Sequence, residues 1–290
     1  MPYPRRLLLA CSALLLTACE GELIVDLTDA PVDGARRVEM TVSSIELLGS
    51  DGDVTTIDPD YTDSFDLLDY RDGATLRLLA ADGELDGGFI GLRLRFDDDA
   101  SYVRDSSGTS VPLELLSAGE YADLSLDFDG TTSAALVVDL DLRFSLIDSI
   151  DELGAYQMVP VIRVVDADTA GSISGHIDTD LVADSDCRDD RDLGEGLAVY
   201  LYPGSDVTPA DYYDDGTATS LVQPVGSTDV TYDSDTDSWG YAFHYVAPGD
   251  YTLAWTCAAD DEHPREEDAL LFQASAGVSV SEAGAVSVDF

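Results

Sequence analysis

Leu136-Val137-Val138-Asp139-Leu140-Asp141-Leu142-Arg143-Phe144 repeats with a period of two: Leu136, Val138, Leu140, Leu142 and Phe144 alternate with Val137, Asp139, Asp141 and Arg143. A helix returns to the same face after three or four residues, whereas alternate positions share a face of a strand, so this pattern is a strand with one face buried. The period recurs on both sides of it. Leu23, Val25 and Leu27 alternate with Glu22, Ile24 and Asp26, and Ile90, Leu92, Leu94 and Phe96 alternate with Gly91, Arg93 and Arg95. Val38, Met40 and Val42 keep one phase, which then slips to Ile45 and Leu47; a slip of this kind predicts a bulge at Ser43-Ser44.

Further along, Leu124, Leu126 and Phe128 alternate, one short helical turn is expected around Ile147 to Leu153, and Tyr156 to Val165 reads as a single closing strand. Asp166 to Ala170 is a short polar joint, and strands resume at Ile173, at Val199 to Tyr202, at Trp239, Tyr241, Phe243 and Tyr245, and at Tyr251, Leu253, Trp255 and Cys257. Short strands bounded by Gly, Asp and Ser turns, with no long helical stripe, predict an all-β chain. The expected architecture is two β-sandwich domains, Ig-like or transthyretin-like, over residues 22–167 and 171–290, each long enough for its own core.

Outward to the N-terminus, Arg5 and Arg6 precede an apolar run from Leu7 to Leu16 that is too short to span a bilayer and has the layout of a secretory leader. The run ends in Leu16-Thr17-Ala18-Cys19, which resembles a bacterial lipobox. The resemblance implies that residues 1–18 are a signal peptide, that Cys19 becomes the lipidated first residue, and that residues 19–21 are a short tether to the membrane. Glu20 after the cysteine, rather than aspartate, points by the same resemblance to the outer membrane of a bacterial cell envelope. Only Glu20 and Gly21 separate Cys19 from the first strand, a reach of about 10 Å, which holds the first domain close to the headgroups.

The formal charge is -45, and without residues 1–18, which carry two arginines, it becomes -47. Every basic residue is arginine. So negative a chain is a poor partner for nucleic acid, which is bound through positive surface. The acidity fits salty surroundings, where counterions screen self-repulsion, and equally a genome biased against lysine codons. Disorder is not expected, because 45% of the residues are hydrophobic. With Cys19 taken by lipid, Cys187 and Cys257 remain as an even pair in an exported protein and are expected to form a disulfide, worth roughly 4 kcal/mol in the chain-entropy model.

Three segments carry a closer resemblance. Leu27-Thr28-Asp29-Ala30-Pro31-Val32-Asp33, the strand Val38 to Leu48, and Pro160 to Asp166 followed by Gly171-Ser172-Ile173-Ser174-Gly175 resemble bacterial lipoproteins grouped as domain of unknown function 4382, over most of residues 22–175. The family's Gly-x-Tyr before a basic strand is replaced here by Gly88-Phe89 leading into Leu92-Arg93-Leu94. Residues 171–290 are similar to carboxypeptidase-regulatory or transthyretin-like modules, on Gly171 to Gly175, Asp237 to Phe243, and Pro248-Gly249-Asp250-Tyr251-Thr252-Leu253. That resemblance implies a non-catalytic accessory module.

No catalytic set is assembled by the sequence. Gly171 to Gly175 misses a nucleophile elbow because Ile173 stands where serine is needed. His176 and His244 are expected to face solvent, His263 lies in a loop, and none has zinc spacing. Asp233, Asp235 and Asp237 alternate like the start of a calcium loop, but Ser238 and His244 replace the loop's glycine and bidentate glutamate, so a polar hairpin turn is the stronger reading. The expected role is that of a non-enzymatic, membrane-anchored lipoprotein that binds or supports an envelope protein or polysaccharide. The alternative is calcium-dependent adhesion or a carbohydrate-binding accessory module, which needs Trp239, Tyr212 and Tyr213 exposed and is weakened if Trp239 and Trp255 are core.

Overall fold

The computed structural model describes residues 21–30, 32–82, 87–97, 99, 101–128, 132–149, 153–183, 187, 196–213 and 221–290. Residues 1–20, which include Cys19, Glu20 and the expected signal peptide, lie outside the described residues. The N-terminal half holds β1 (Glu22–Ala30), β2 (Ala35–Met40), β3 (Val42–Gly49), β4 (Val54–Ile57), β5 (Phe65–Asp66), β6 (Leu76–Asp82), β7 (Gly87–Phe96), β8 (Tyr102–Asp105), β9 (Ser110–Leu115), β10 (Ala122–Phe128), β11 (Ala134–Asp141), β12 (Leu146–Ser149), β13 (Ala155–Met158) and β14 (Ile162–Asp166). The C-terminal half holds β15 (Gly171–Ile177), β16 (Ala198–Pro203), β17 (Gly226–Asp229), β18 (Thr231–Asp233), β19 (Ser238–Val246), β20 (Gly249–Thr256), β21 (Phe272–Val280) and β22 (Ala285–Ser287).

The chain is all-β. Its N-terminal half forms sheets ordered β14-β11-β1-β6, β10-β7-β3-β4 and β12-β13-β9-β8-β2-β5, and its C-terminal half forms two four-stranded sheets, β18-β19-β15-β22 and β17-β16-β20-β21. β1 runs parallel to β11 and antiparallel to β6, with Thr28 opposite Asp139. Leu23, Val25, Leu27, Leu136, Val138 and Leu140 point into one core, where burial of each large aliphatic side chain contributes about 1.5–3 kcal/mol. Ile173, Leu201, Trp239, Phe243, Leu253 and Trp255 build another in the C-terminal half. A third cluster joins the halves: Phe144 packs with Tyr200, Tyr202, Ala198, Ala254 and Ala259.

The bulge expected at Ser43-Ser44 is present as a register shift between Val42 and Ser44. It coincides with a change of sheet, since β2 and β3 are separated by Thr41 and pair with different neighbours.

Elsewhere the structure corrects the sequence reading. β7 buries Phe89 and exposes Ile90, because its pairing with β3 skips from Gly91 to Phe89 and pushes Ile90 out of the ladder. The strand read from Leu136 to Phe144 stops at Asp141, and Leu142–Ser145 make one helical turn. Asp141 causes the break: its carboxylate caps the turn by accepting from the Phe144 N–H at 3.3 Å. Of the helical turn expected at Ile147 to Leu153, Ile147–Ser149 lie in strand β12 and Leu153 is helical; residues 150–152 lie outside the described residues. The single strand read from Tyr156 to Val165 is two, β13 and β14, in different sheets. Pro160 lies between them, and proline has no N–H for a ladder.

Candidate functional site

The hairpin that joins β18 to β19 carries the candidate calcium ligands. Asp233 accepts from the Asp235 N–H at 2.8 Å and from the Thr236 hydroxyl at 2.8 Å, and these bonds hold its carboxyl below the usual range. The Tyr232 hydroxyl donates to Asp237, which sits at φ +55°. Asp233, Asp235 and Asp237 are all exposed at the tip of this turn. The other predicted pair, Cys187 and Cys257, is joined as a disulfide with Cα atoms 5.3 Å apart across 70 residues of chain.

A different set of charged residues is buried where the halves meet. Arg143, 2% exposed, leaves the one-turn helix after β11 and donates to Asp33 at 2.7 Å, to Asp229 at 2.6 Å and to the Ala259 carbonyl at 2.9 Å. One guanidinium thus ties the loop after β1 to β17 and to the segment after β20. Burial works against its charge, but Asp33 and Asp229 outweigh that and raise its pKa. Asp141, two residues earlier, accepts from the Ser227 N–H at 2.6 Å and hydroxyl at 3.0 Å. Burial and the neighbouring Asp139 push its carboxyl up to about 7, against the opposing pull of Arg143 and Ser227.

Arg163 of β14 is a second tie. It donates to the Tyr245 carbonyl at 2.6 Å, the His244 carbonyl at 3.1 Å and Asp139 at 2.5 Å, and the Tyr245 hydroxyl returns a bond to the Gly73 carbonyl at 2.9 Å. With no lysine in the chain, both ties use the planar guanidinium, whose fork of donors suits several fixed acceptors at once. Beside the ions, Phe144 meets Tyr200 edge-on at 5.3 Å and stacks on Tyr212 at 4.7 Å. His244, expected to face solvent, is half-buried here: a Cβ on Gly73 would sit 3.0 Å from its Nδ1.

Among the described residues, Asp211, Glu262 and Asp268 could hold a metal, with ligand atoms all within 4.8 Å of one another. Glu262 accepts from the Tyr200 hydroxyl at 2.8 Å and the Tyr212 N–H at 3.3 Å, yet burial pushes its carboxyl up to about 8. Sequence reasoning missed both this group and the junction. Asp211 is about fifty residues from Glu262 and Asp268, which themselves sit six apart in a loop with no ligand spacing, and Asp139, Asp141 and Arg143 have the spacing of an ordinary solvated strand face.

The aromatic residues considered for a carbohydrate platform are not a free row. Trp239 and Trp255 are core, Tyr212 stacks on Phe144, and Tyr213 is half-buried. No helix among the described residues is long and apolar enough to cross a membrane.

Residues 20–160 match the family described as "Domain of unknown function (DUF4382)", and the resemblance read from the sequence stands over that stretch. No curated protein matches the chain. Among solved structures, the Bacillus anthracis TIE protein is 10% identical at a TM-score of 0.21, over 93% of this chain and 34% of that one. This chain therefore spans about a third of that protein's length. The minor pilin GBS52 of Streptococcus agalactiae is 11% identical at 0.20, covering 93% and 94%. A family 26 carbohydrate-binding module of Eubacterium rectale Amy13K, solved with maltoheptaose, is 12% identical at 0.19, covering 93% and 92%. Likenesses at TM-scores near 0.2 bear on neither the fold nor the role of this chain.

Proposed function

We propose that this chain, whose residues 20–160 match the DUF4382 family, is a non-enzymatic envelope lipoprotein, anchored through Cys19 and serving a binding or structural role. The observation that carries the reading is the junction. Arg143, Arg163 and Phe144 fasten the two halves with buried ion pairs, carbonyl bonds and ring stacking, so that a surface on the C-terminal half is held at a fixed distance from β1. β1 begins at Glu22, three positions after Cys19, so an anchored chain carries this rigid body directly on the bilayer, as a spacer or a fixed docking platform would. An acidic outer surface favours an envelope protein or polysaccharide over an anionic lipid or nucleic acid. The outer membrane is the expected location.

Metabolic labelling with palmitate tests the anchor. Label is expected on the wild-type chain and absent from Cys19→Ala, and label that persists in the variant overturns the reading. A second reading, calcium-dependent adhesion, has in its favour that Asp233, Asp235 and Asp237 all stand exposed at one hairpin tip, where a bound ion could meet a partner directly.

A further inference from the structure

Each sheet ends in two edge strands, whose outer N–H and C=O groups are open to pairing. β4, β5, β12, β17, β18 and β22 have four residues or fewer, and β6, β10 and β14 carry charged residues. β21 is different: it has nine residues, Phe272 to Val280, and none is charged. The uncharged run extends from Ala269 to Ser281, in a chain whose formal charge is -45. Shortness and charge are the usual guards against edge-to-edge association, and β21 has neither.

The direction of its backbone groups follows from the strand behind it. The Gly204 N–H donates to the Asp250 carbonyl at 2.8 Å, so Asp250 faces β16, and the alternate residues Tyr251, Leu253 and Trp255 face β21. Their partners Val278, Ala276 and Ala274 bond inward, which turns the N–H and C=O of Ser275, Gly277 and Ser279 outward. All three are exposed, none has a bulky side chain, and among the described residues no hydrogen bond reaches these backbone groups.

We propose that β21 is the surface through which two copies of this chain pair, edge to edge and antiparallel, about a two-fold axis at Gly277. Ser275 of one copy then stands opposite Ser279 of the other, and Gly277 opposite Gly277. Each such pair exchanges two backbone bonds, roughly six in all, and the two sheets become continuous. On the core face, Ala274 and Ala276 of one copy receive Val280 and Val278 of the other, small residues against branched ones. Charge selects the same occupant. Two copies repel wherever acidic surface meets acidic surface, and β21 is where they approach without that repulsion. Glu282, the first acid beyond the strand, falls opposite Phe272, and the one charged residue of β20, Asp250, is held by the Ser279 hydroxyl at 2.5 Å. A foreign partner drawn to so acidic a chain would be basic, and β21 itself offers it no acid. The contact is isologous, so it closes at two copies. It depends neither on the anchor at Cys19 nor on the junction.

Sedimentation equilibrium of residues 19–290 carrying Cys19→Ser, which keeps lipid out of the association, tests the pairing in salt high enough to screen the net charge. The expected result is a monomer–dimer equilibrium in the micromolar range. Gly277→Asp sets two carboxylates against each other across the axis, and a Cβ there has room, its nearest neighbour being the Tyr251 carbonyl at 4.0 Å. It should weaken pairing at least tenfold, as should Gly277→Arg, and an equal mixture of the two variants should pair again. Ser275→Pro, which removes an outward N–H and no bond to β20, should also weaken pairing. Thr56→Asp, exposed on the edge strand β4, should pair as the wild type does. A wild-type chain that stays monomeric would overturn the proposal, as would open-ended growth, pairing unchanged in Gly277→Asp, an Asp–Arg mixture that stays apart, or equal loss in Thr56→Asp. Circular dichroism checks that each variant is folded; should Ser275→Pro not fold, the Gly277 mixture decides the question.

Discussion

Two acidic regions of this molecule contain the same residue type and behave in opposite ways. At the hairpin, Asp233 is exposed and fully occupied by its own turn, through the Asp235 N–H and the Thr236 hydroxyl. At the junction, the carboxylate of buried Asp29 has no donor among the described residues, Asp139 is paired with Arg163, and Asp141 caps its own turn while also reaching Ser227 far away in sequence. The hairpin has the spacing of a motif; the junction has none. Burial and unmet bonding, which spacing does not report, distinguish a solvated aspartate from one that must find a partner or hold its proton.

Arg143→Ala should give the largest effect. It removes the buried partner of Asp33 and Asp229, which are themselves 26% and 27% exposed, so the cost should approach the low end of the roughly 3–5 kcal/mol that loss of one partner from a buried pair takes. Calorimetry should also show the single unfolding transition split in two as the halves uncouple; one unsplit transition at wild-type temperature would make the junction no more important than the hairpin. Replacing Cys187 and Cys257 together should cost about 2–4 kcal/mol by freeing a 70-residue span in the unfolded chain. That loss belongs to the C-terminal half, so in the Arg143→Ala background one of the two transitions should move to lower temperature while the other stays in place.

The pH dependence is the next smaller effect. Burial raises the Glu262 carboxyl from 4.5 to about 8, outweighing the bonds from Tyr200 and Tyr212, with Asp211 adding to the rise and Arg143 opposing it. The folded chain then holds a proton that the unfolded chain has released, so this contribution is complete below about pH 4.5, falls as pH rises and is gone above about 8. Denaturant melts across that window should show a slope that Glu262→Gln reduces. Asp235→Asn should do least, within about 0.5 kcal/mol, because its side chain is exposed. A larger loss in calcium alone would promote the hairpin to a metal site and erase the contrast with the junction.

The strands were legible where one face meets a core and the other meets water or a polar neighbour, as at Leu23 to Leu27 and Leu136 to Leu140. Legibility failed where alternation continued through a change of structure. Leu142 and Phe144 keep the period of two, yet the Asp141 cap winds them into a helical turn, and Asp141 three residues before Phe144 was the available sign. The hairpin could be read because its bonds are local. The junction could not, because Asp139, Asp141 and Arg143 read as an outer strand face, whereas Asp141 and Arg143 are covered by Ser227, Asp229 and Ala259, supplied by chain 86 to 116 residues further on. Ile90 was misplaced for a similar reason, since a one-residue skip against β3 leaves no mark in the pattern of apolar residues.

β1 has a mechanical consequence as well. It lies inside its sheet, paired with β11 from Leu23 to Ala30 and with β6 from Glu22 to Leu27. A force that enters through the N-terminus reaches Glu22 first and acts along the strand. It loads both ladders in shear, so many rungs must give together instead of opening one at a time. The first strand of the body is thus placed to resist traction, which is the load that a tethered envelope protein meets when its partner is pulled away.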